Sequence, residues 1–226
     1  MKFSNSIAVV AACATLALPV GASAQFGGLG HVLGGGSSAP SPSAASPADG
    51  DAFLANALMS TKNVMISAKL LSAALVKRSD KAALKGEIDA IQNMQSFKEL
   101  GTQKDDLQSN LGAISARGDV AGELTTTYQA ADAQEKQLIA IAIANLALGT
   151  YRNIKLAGEA PGFVKGFAGN PLMLRRIGEF KMAADLLVIQ SKGFATIAPA
   201  LPKIMTVLKV AAPQQPDTTK FQPVAL

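Results

Sequence analysis

The chain has 226 residues, is 49% hydrophobic and only 5% aromatic with no tryptophan, and has a mean hydropathy of +0.25. An Ala- and Leu-rich, aromatic-poor chain of this length points away from a β-sandwich and towards close-packed helices, with enough residues for one domain with a real core. Its formal charge is +5, and its single histidine and single cysteine withhold most of the side chains from which catalytic triads, redox pairs and transition-metal sites are built.

Residues 1–24 read as a cleaved secretory signal. Lys2 supplies the basic start, residues 7–18 the apolar stretch, and Ala22-Ser23-Ala24 a small-x-small cleavage site after the break at Pro19-Val20-Gly21. The apolar run is shorter than the ~20 residues that span a bilayer. The mature chain is expected to start at Gln25 and to be periplasmic or secreted. An alternative is a lipoprotein anchored through Cys13, since Val10-Ala11-Ala12-Cys13 loosely resembles an acylation site. On the first reading no cysteine remains, so stability rests on packing.

Residues 25–50 are rich in Gly, Ser, Pro and Ala and read as a flexible tether. From Asp51 to about Arg78 the apolar residues Leu54, Ala57, Leu58, Thr61, Val64, Met65, Ala68, Leu71 and Leu75 recur at helical steps, with Lys77 and Arg78 in the last turn. Ser79 is the expected cap of a second helix carrying Leu84, Ile88, Ile91 and Met94. Thr102 with Asp105 marks the start of a third, which Gly118 and Gly122 end or interrupt.

Asp132 and Glu135 repeat the start signal before the most apolar run of the mature chain, residues 138–148, continued by Tyr151, Ile154 and Leu156. A helix apolar nearly all round belongs at the centre of a bundle. Residues 158–170 read as a glycine-rich loop, and Asn170-Pro171 as a helix restart. The next helix carries Met173, Ile177, Phe180, Ala184 and Leu187, is paired on its surface through Arg175/Glu179 and Lys181/Asp185, and ends at Lys192-Gly193. Pro199 and Pro202 suit the first turn of a last helix, and residues 213–226 a proline-rich tail. The expected fold is all-α: a single bundle of five to six helices over residues 51–212, with a flexible N-terminal tether and a C-terminal tail.

The chain contains no H-E-x-x-H, C-x-x-C, E-x-x-H or phosphate-loop pattern, and His31 stands in the tether with nothing to orient it. No catalytic, cofactor or metal site is therefore expected. Arg117-Gly118-Asp119 spells an adhesion tripeptide but reads as a structural turn. Asn145 is a polar residue inside the most apolar helix, where it must find partners or cost about 1–3 kcal/mol. Phe163, Lys165 and Phe167 make an aromatic lip, either a plug or a cover over a pocket.

Residues 49–135 carry 9 basic and 12 acidic side chains, −3, and residues 136–226 carry 11 and 4, +7. Arg176, Lys192, Lys203 and Lys209 lack acidic neighbours at four residues' distance and are the candidate free charges of a basic C-terminal half. The sequence thus points to a non-enzymatic envelope protein that binds a protein or assembly partner. The alternative is a carrier of an apolar or anionic lipid-like ligand held between helices, with an anionic lipid surface as a possible contact. Export and the lack of interleaved aromatics argue against nucleic acid.

Overall fold

A computed structural model describes residues 47–78, 80–166 and 174–210. Its described residues form eight helices and no strand: α1 (Pro47–Leu75), α2 (Lys81–Asn93), α3 (Phe97–Gly101), α4 (Lys104–Ser115), α5 (Val120–Ala130), α6 (Ala133–Gly166), α7 (Ile177–Ile197) and α8 (Leu201–Leu208). The all-α bundle expected from the pattern is thus present, with two short helices more than foreseen. The expected signal with Cys13, most of the expected tether with His31, Ser79, Phe167, Asn170-Pro171, Met173 and the expected tail lie outside the described residues.

Helix α1 forms the axis. It starts at Pro47, four residues before Asp51, with Asp49 in its first turn, where proline and a carboxylate both suit the end of the helix dipole. Every residue from 60 to 71 is buried, on all faces. Helix α6 was expected at the centre and does bury its segment around residues 142–150, but α1 shares that place because α6, α7, α4 and α2 all pack against it. The helix ends at Leu75, so Lys77 and Arg78 fall in the turn beyond it and not in its last turn. Arg78 N–H donates to Ala73 O at 2.9 Å and Lys77 N–H to Ala74 O at 3.2 Å, with Lys77 left-handed at φ 53°.

The following helices are capped differently from the sequence expectation. Asp80, not Ser79, caps α2 by accepting from Ala83 N–H at 2.9 Å. Ser96 and Glu99 form a full capping box at the start of α3, a helix the periodicity missed because it is five residues long. Thr102 donates instead to Glu99 O at 2.6 Å, and α4 starts at Lys104 without a side-chain cap. Arg117-Gly118-Asp119 is a structural turn: Asp119 accepts from Gly122 N–H to cap α5, and Arg117 pairs with Glu123. Gly122 therefore lies inside α5 and interrupts nothing. Asp132 and Glu135 start α6 as expected, with Glu135 N–H donating to Asp132 Oδ1 at 2.8 Å.

Two expected breaks are absent. Helix α6 runs on through Gly158 and Pro161 to Gly166, so the loop read over residues 158–170 is helical at least to 166. Helix α7 runs through Gly193 to Ile197. Gly193 lies where α7 crosses α4: a Cβ there would meet Leu111 Cβ at 2.9 Å, and Ser115 Oγ donates to Gly193 O at 3.2 Å. Close helix packing, not chain termination, is what this glycine serves, and propensity yields to it. Pro202 stands in the first turn of α8 as expected.

Candidate binding groove at one end of the bundle

The C-terminal turns of α1 and α5 and the N-terminal turns of α2 and α6 surround a groove of about 510 Å³. Its floor is Leu70, Ala73 and Ala74 of α1, Leu84 of α2, and Leu138 and Ile139 of α6; Thr126, Thr127 and Ala130 of α5 and its cap Ala131 wall it. Three cations, Lys77, Arg78 and Lys81, and one carboxylate, Glu135, stand in the same lining. The size falls in the ~300–1,000 Å³ range of small-molecule sites, and an apolar floor beneath a few polar groups is their usual make-up.

The rim cations differ in availability. Arg78 is held by Glu87, with Nη2 at 2.8 Å from Oε1 and Nη1 at 3.2 Å from Oε2, and Lys69 Nζ reaches the same carboxylate at 2.8 Å. These hydrogen bonds, from Arg78 first and then Lys69, hold the Glu87 carboxyl down at about 2. Lys81 pairs with Glu135 at 3.1 Å and with Asp132 at 3.6 Å, and the hydrogen bond to Glu135 raises it above the usual lysine range. Among the described residues no ion pair engages Lys77, which is exposed. The rim thus offers one open ammonium beside two that are already shared with carboxylates.

The core carries an unusual number of polar groups. A chain of hydrogen bonds ties the three long helices together: Gln190 Nε2 to Thr61 Oγ1 at 3.0 Å, Asn153 Nδ2 to Gln190 Oε1 at 3.1 Å, and Ser191 Oγ to Asn153 Oδ1 at 2.7 Å. Ser60 Oγ donates to Gly149 O at 3.2 Å. Lys62 donates to Gln92 O at 2.9 Å; burial lowers it below the usual lysine range, against the opposing charge of Glu99. Other buried groups are unmatched among the described residues: both amide atoms of Asn63, Ser67 Oγ and Asn145 Oδ1. Asn145 is buried as its place in an apolar helix implied, and it donates only to its own helix, at Ile141 O, 3.0 Å.

The sequence-derived candidates are scattered. Arg176 is not a free charge: it pairs with Asp51 and, at 3.0 Å, with Glu179. The rule of four residues' spacing overlooked both a partner three residues on and one brought from α1 by folding. Lys192 lines a second groove, of about 520 Å³, between α4 and α7 together with Lys104 and Asp185. Lys203 is exposed on α8 and Lys209 caps it in a left-handed conformation, φ 55°, on a helix that packs against α5 and α6. Phe163 and Lys165 belong to the last turns of α6, and the rise of that helix puts them on the order of 35 Å from the groove. Lys77, Lys81, Asn63 and Ser67 were missed. Lys77 reads as an ordinary helix-end charge, and Asn63 and Ser67 lie off the helical stripe from Leu54 to Leu75 by which α1 is recognised.

Among the described residues no group of His, Cys, Asp or Glu is arranged to hold a metal ion, and no helix is long and apolar enough to cross a membrane. The chain matches no protein-family model, no curated protein and no solved structure.

Proposed function

We propose that this protein is an exported, non-enzymatic binding protein for an anionic amphiphile, held in the groove between α1, α2, α5 and α6. The observation that carries this reading is an apolar floor of six aliphatic side chains beneath a rim of three cations and one carboxylate. Apolar contact retains the tail, and Lys77 attracts the head group without first having to break an ion pair. The site stands at the opposite end of α6 from Phe163, part of the aromatic lip that the sequence offers as a cover over a pocket.

Titration of the full-length purified chain with stearate, read by displacement of a fluorescent fatty-acid probe, tests the reading. Saturable binding is expected. Lys77→Glu should weaken it about tenfold, the equivalent of ~1.4 kcal/mol, and Ala74→Phe should block it by filling the floor. Binding indifferent to both substitutions overturns the groove as the site.

A second reading is an envelope module that recruits a protein partner. It is supported by the groove between α4 and α7, where Lys104 and Lys192 flank Val188, which is 50% exposed. The exposed large apolar side chains among the described residues, Val76, Tyr151, Leu174, Val188 and Val207, come from five different segments. Lys192→Glu, with binding measured against host envelope extract, separates the two readings: loss of a specific partner there favours the module.

A further inference from the structure

Beneath the residues that line the groove, the core is not purely apolar. On α1 the lining residues Leu70 and Ala74 continue inward, at steps of three and four, to Ser67 and Asn63, so all four stand on one face of the helix. On α6 the lining residues Glu135 and Leu138 continue on the same terms through Ala142 to Asn145. The two helices are antiparallel here. Gly149 lies against Ser60 and Val64, while Leu138 and Ile139 share the groove with Leu70 and Ala73. Asn145, between those two levels on α6, therefore falls between the levels of Asn63 and Ser67 on α1.

Ser67 is one turn below the floor at Leu70, about 4.5 Å, and Asn63 and Asn145 are two turns below Leu70 and Leu138, about 10 Å. Asn63 and Ser67 are wholly buried and Asn145 is 5% exposed. These three residues hold the described side-chain amide and hydroxyl atoms that burial leaves without hydrogen-bond partners: Asn63 Oδ1 and Nδ2, Ser67 Oγ and Asn145 Oδ1. Buried polar atoms are ordinarily matched. Here the unmatched amide and hydroxyl atoms lie below one groove, on the two helix faces that line it.

We propose that the ligand of this groove carries a second, uncharged hydrogen-bonding group along its chain, a hydroxyl in the simplest case, which pairs with Ser67, Asn63 and Asn145. This deepens the groove reading given above and rests on it. The head group meets Lys77 at the rim, and the chain passes over Leu70 and Leu138. Ser67 lies eight residues, about 12 Å, below the end of α1 at Leu75, and Lys77 stands in the turn beyond that end. A plain alkyl chain reaching the Ser67 level presses methylene groups against amide and hydroxyl atoms that have lost water. A hydroxyl at the same depth both donates to Asn145 Oδ1 or Asn63 Oδ1 and accepts from Asn63 Nδ2 or Ser67 Oγ. Selectivity of this kind, in which buried polar groups reject an analogue lacking their partner, is stronger than selectivity for one more methylene.

The test compares stearate with its mid-chain hydroxy and ω-hydroxy derivatives on the full-length chain, by calorimetry and by the same displacement assay. At least one hydroxylated acid should bind about tenfold or more tightly than stearate. Asn145→Leu and Ser67→Ala should each bring that ratio close to one while leaving stearate binding in place, and thermal melts of both variants show that they fold. Equal affinity for the three acids, or a preference that survives in both variants, overturns the proposal and leaves the groove reading standing. Failure of every acid to bind overturns the groove reading and the proposal together.

Discussion

Gly149 shows how much one missing Cβ decides. A Cβ at that position would come within 2.6 Å of Val64 Cγ2 and within 3.6 Å of Ser60 O, so the glycine sets how closely α6 approaches α1. Glycine in a helix interior costs about 0.8–1 kcal/mol relative to alanine, and the chain accepts that cost for contact between its two longest helices. Gly158, on the same helix, has open space where a Cβ would stand. Gly149→Ala should therefore lower unfolding stability by about 1–3 kcal/mol through overpacking, whereas Gly158→Ala should raise it by about 0.5–1 kcal/mol. Urea denaturation of both variants checks this, and the opposite signs are what matter. The glycines could be read from the sequence, but which one is at a crossing could not, because that depends on where α1 passes.

At the scale of elements, α1 and α2 are held together by charge as well as by packing. Lys69, 10% exposed along its side chain, reaches out from the axis to Glu87 of α2 and Asp106 of α4, while Arg78 clamps the other side of Glu87. The folded Glu87 carboxyl titrates at about 2 against an ordinary value of 4.5. A carboxylate depressed on folding contributes stability that is complete above its unfolded value and is lost as the pH falls towards its folded one. The window is therefore about pH 4.5 down to 2. Because the Glu87 side chain is 37% exposed, solvent screens the contribution to about 1 kcal/mol. Glu87→Gln should be less stable than the parent by that amount at pH 7, and the difference should shrink through this window. Denaturation midpoints at neutral pH, pH 4 and pH 3 give the test. Helix α2 was legible from its apolar spacing, but its tie to Lys69 was not, since the partner is 18 residues away.

Taken whole, the molecule sets polar groups inside a helical core where aliphatic ones would pack better, and Asn145 is the clearest case. Its Nδ2 is satisfied only within its own helix and its Oδ1 is unmatched. Leucine is close to asparagine in length and would remove a buried acceptor without orphaning a partner on another helix. Asn145→Leu is expected to stabilise the free protein by about 1 kcal/mol, the scale of an unsatisfied buried group, with a melting temperature raised in calorimetry. A stability gain combined with lost ligand selectivity is the signature of a core residue kept for binding. A stability loss of a few kcal/mol would identify Asn145 as structural.

Periodicity and composition by themselves determined the all-α class, the main helices and the start of α6. Those features depend on residues within a few positions of one another: apolar spacing along one helix face and caps such as Asp132 with Glu135. Asn145 was legible for the same reason, as a polar residue in an apolar run. Only the tertiary structure made α1 the axis, paired Arg176 with Asp51, carried α6 past Pro161 and α7 past Gly193, and closed a groove from four helix ends. Each of those outcomes depends on which distant surface a helix meets, and packing between helices outweighs the local preferences of the residues within them.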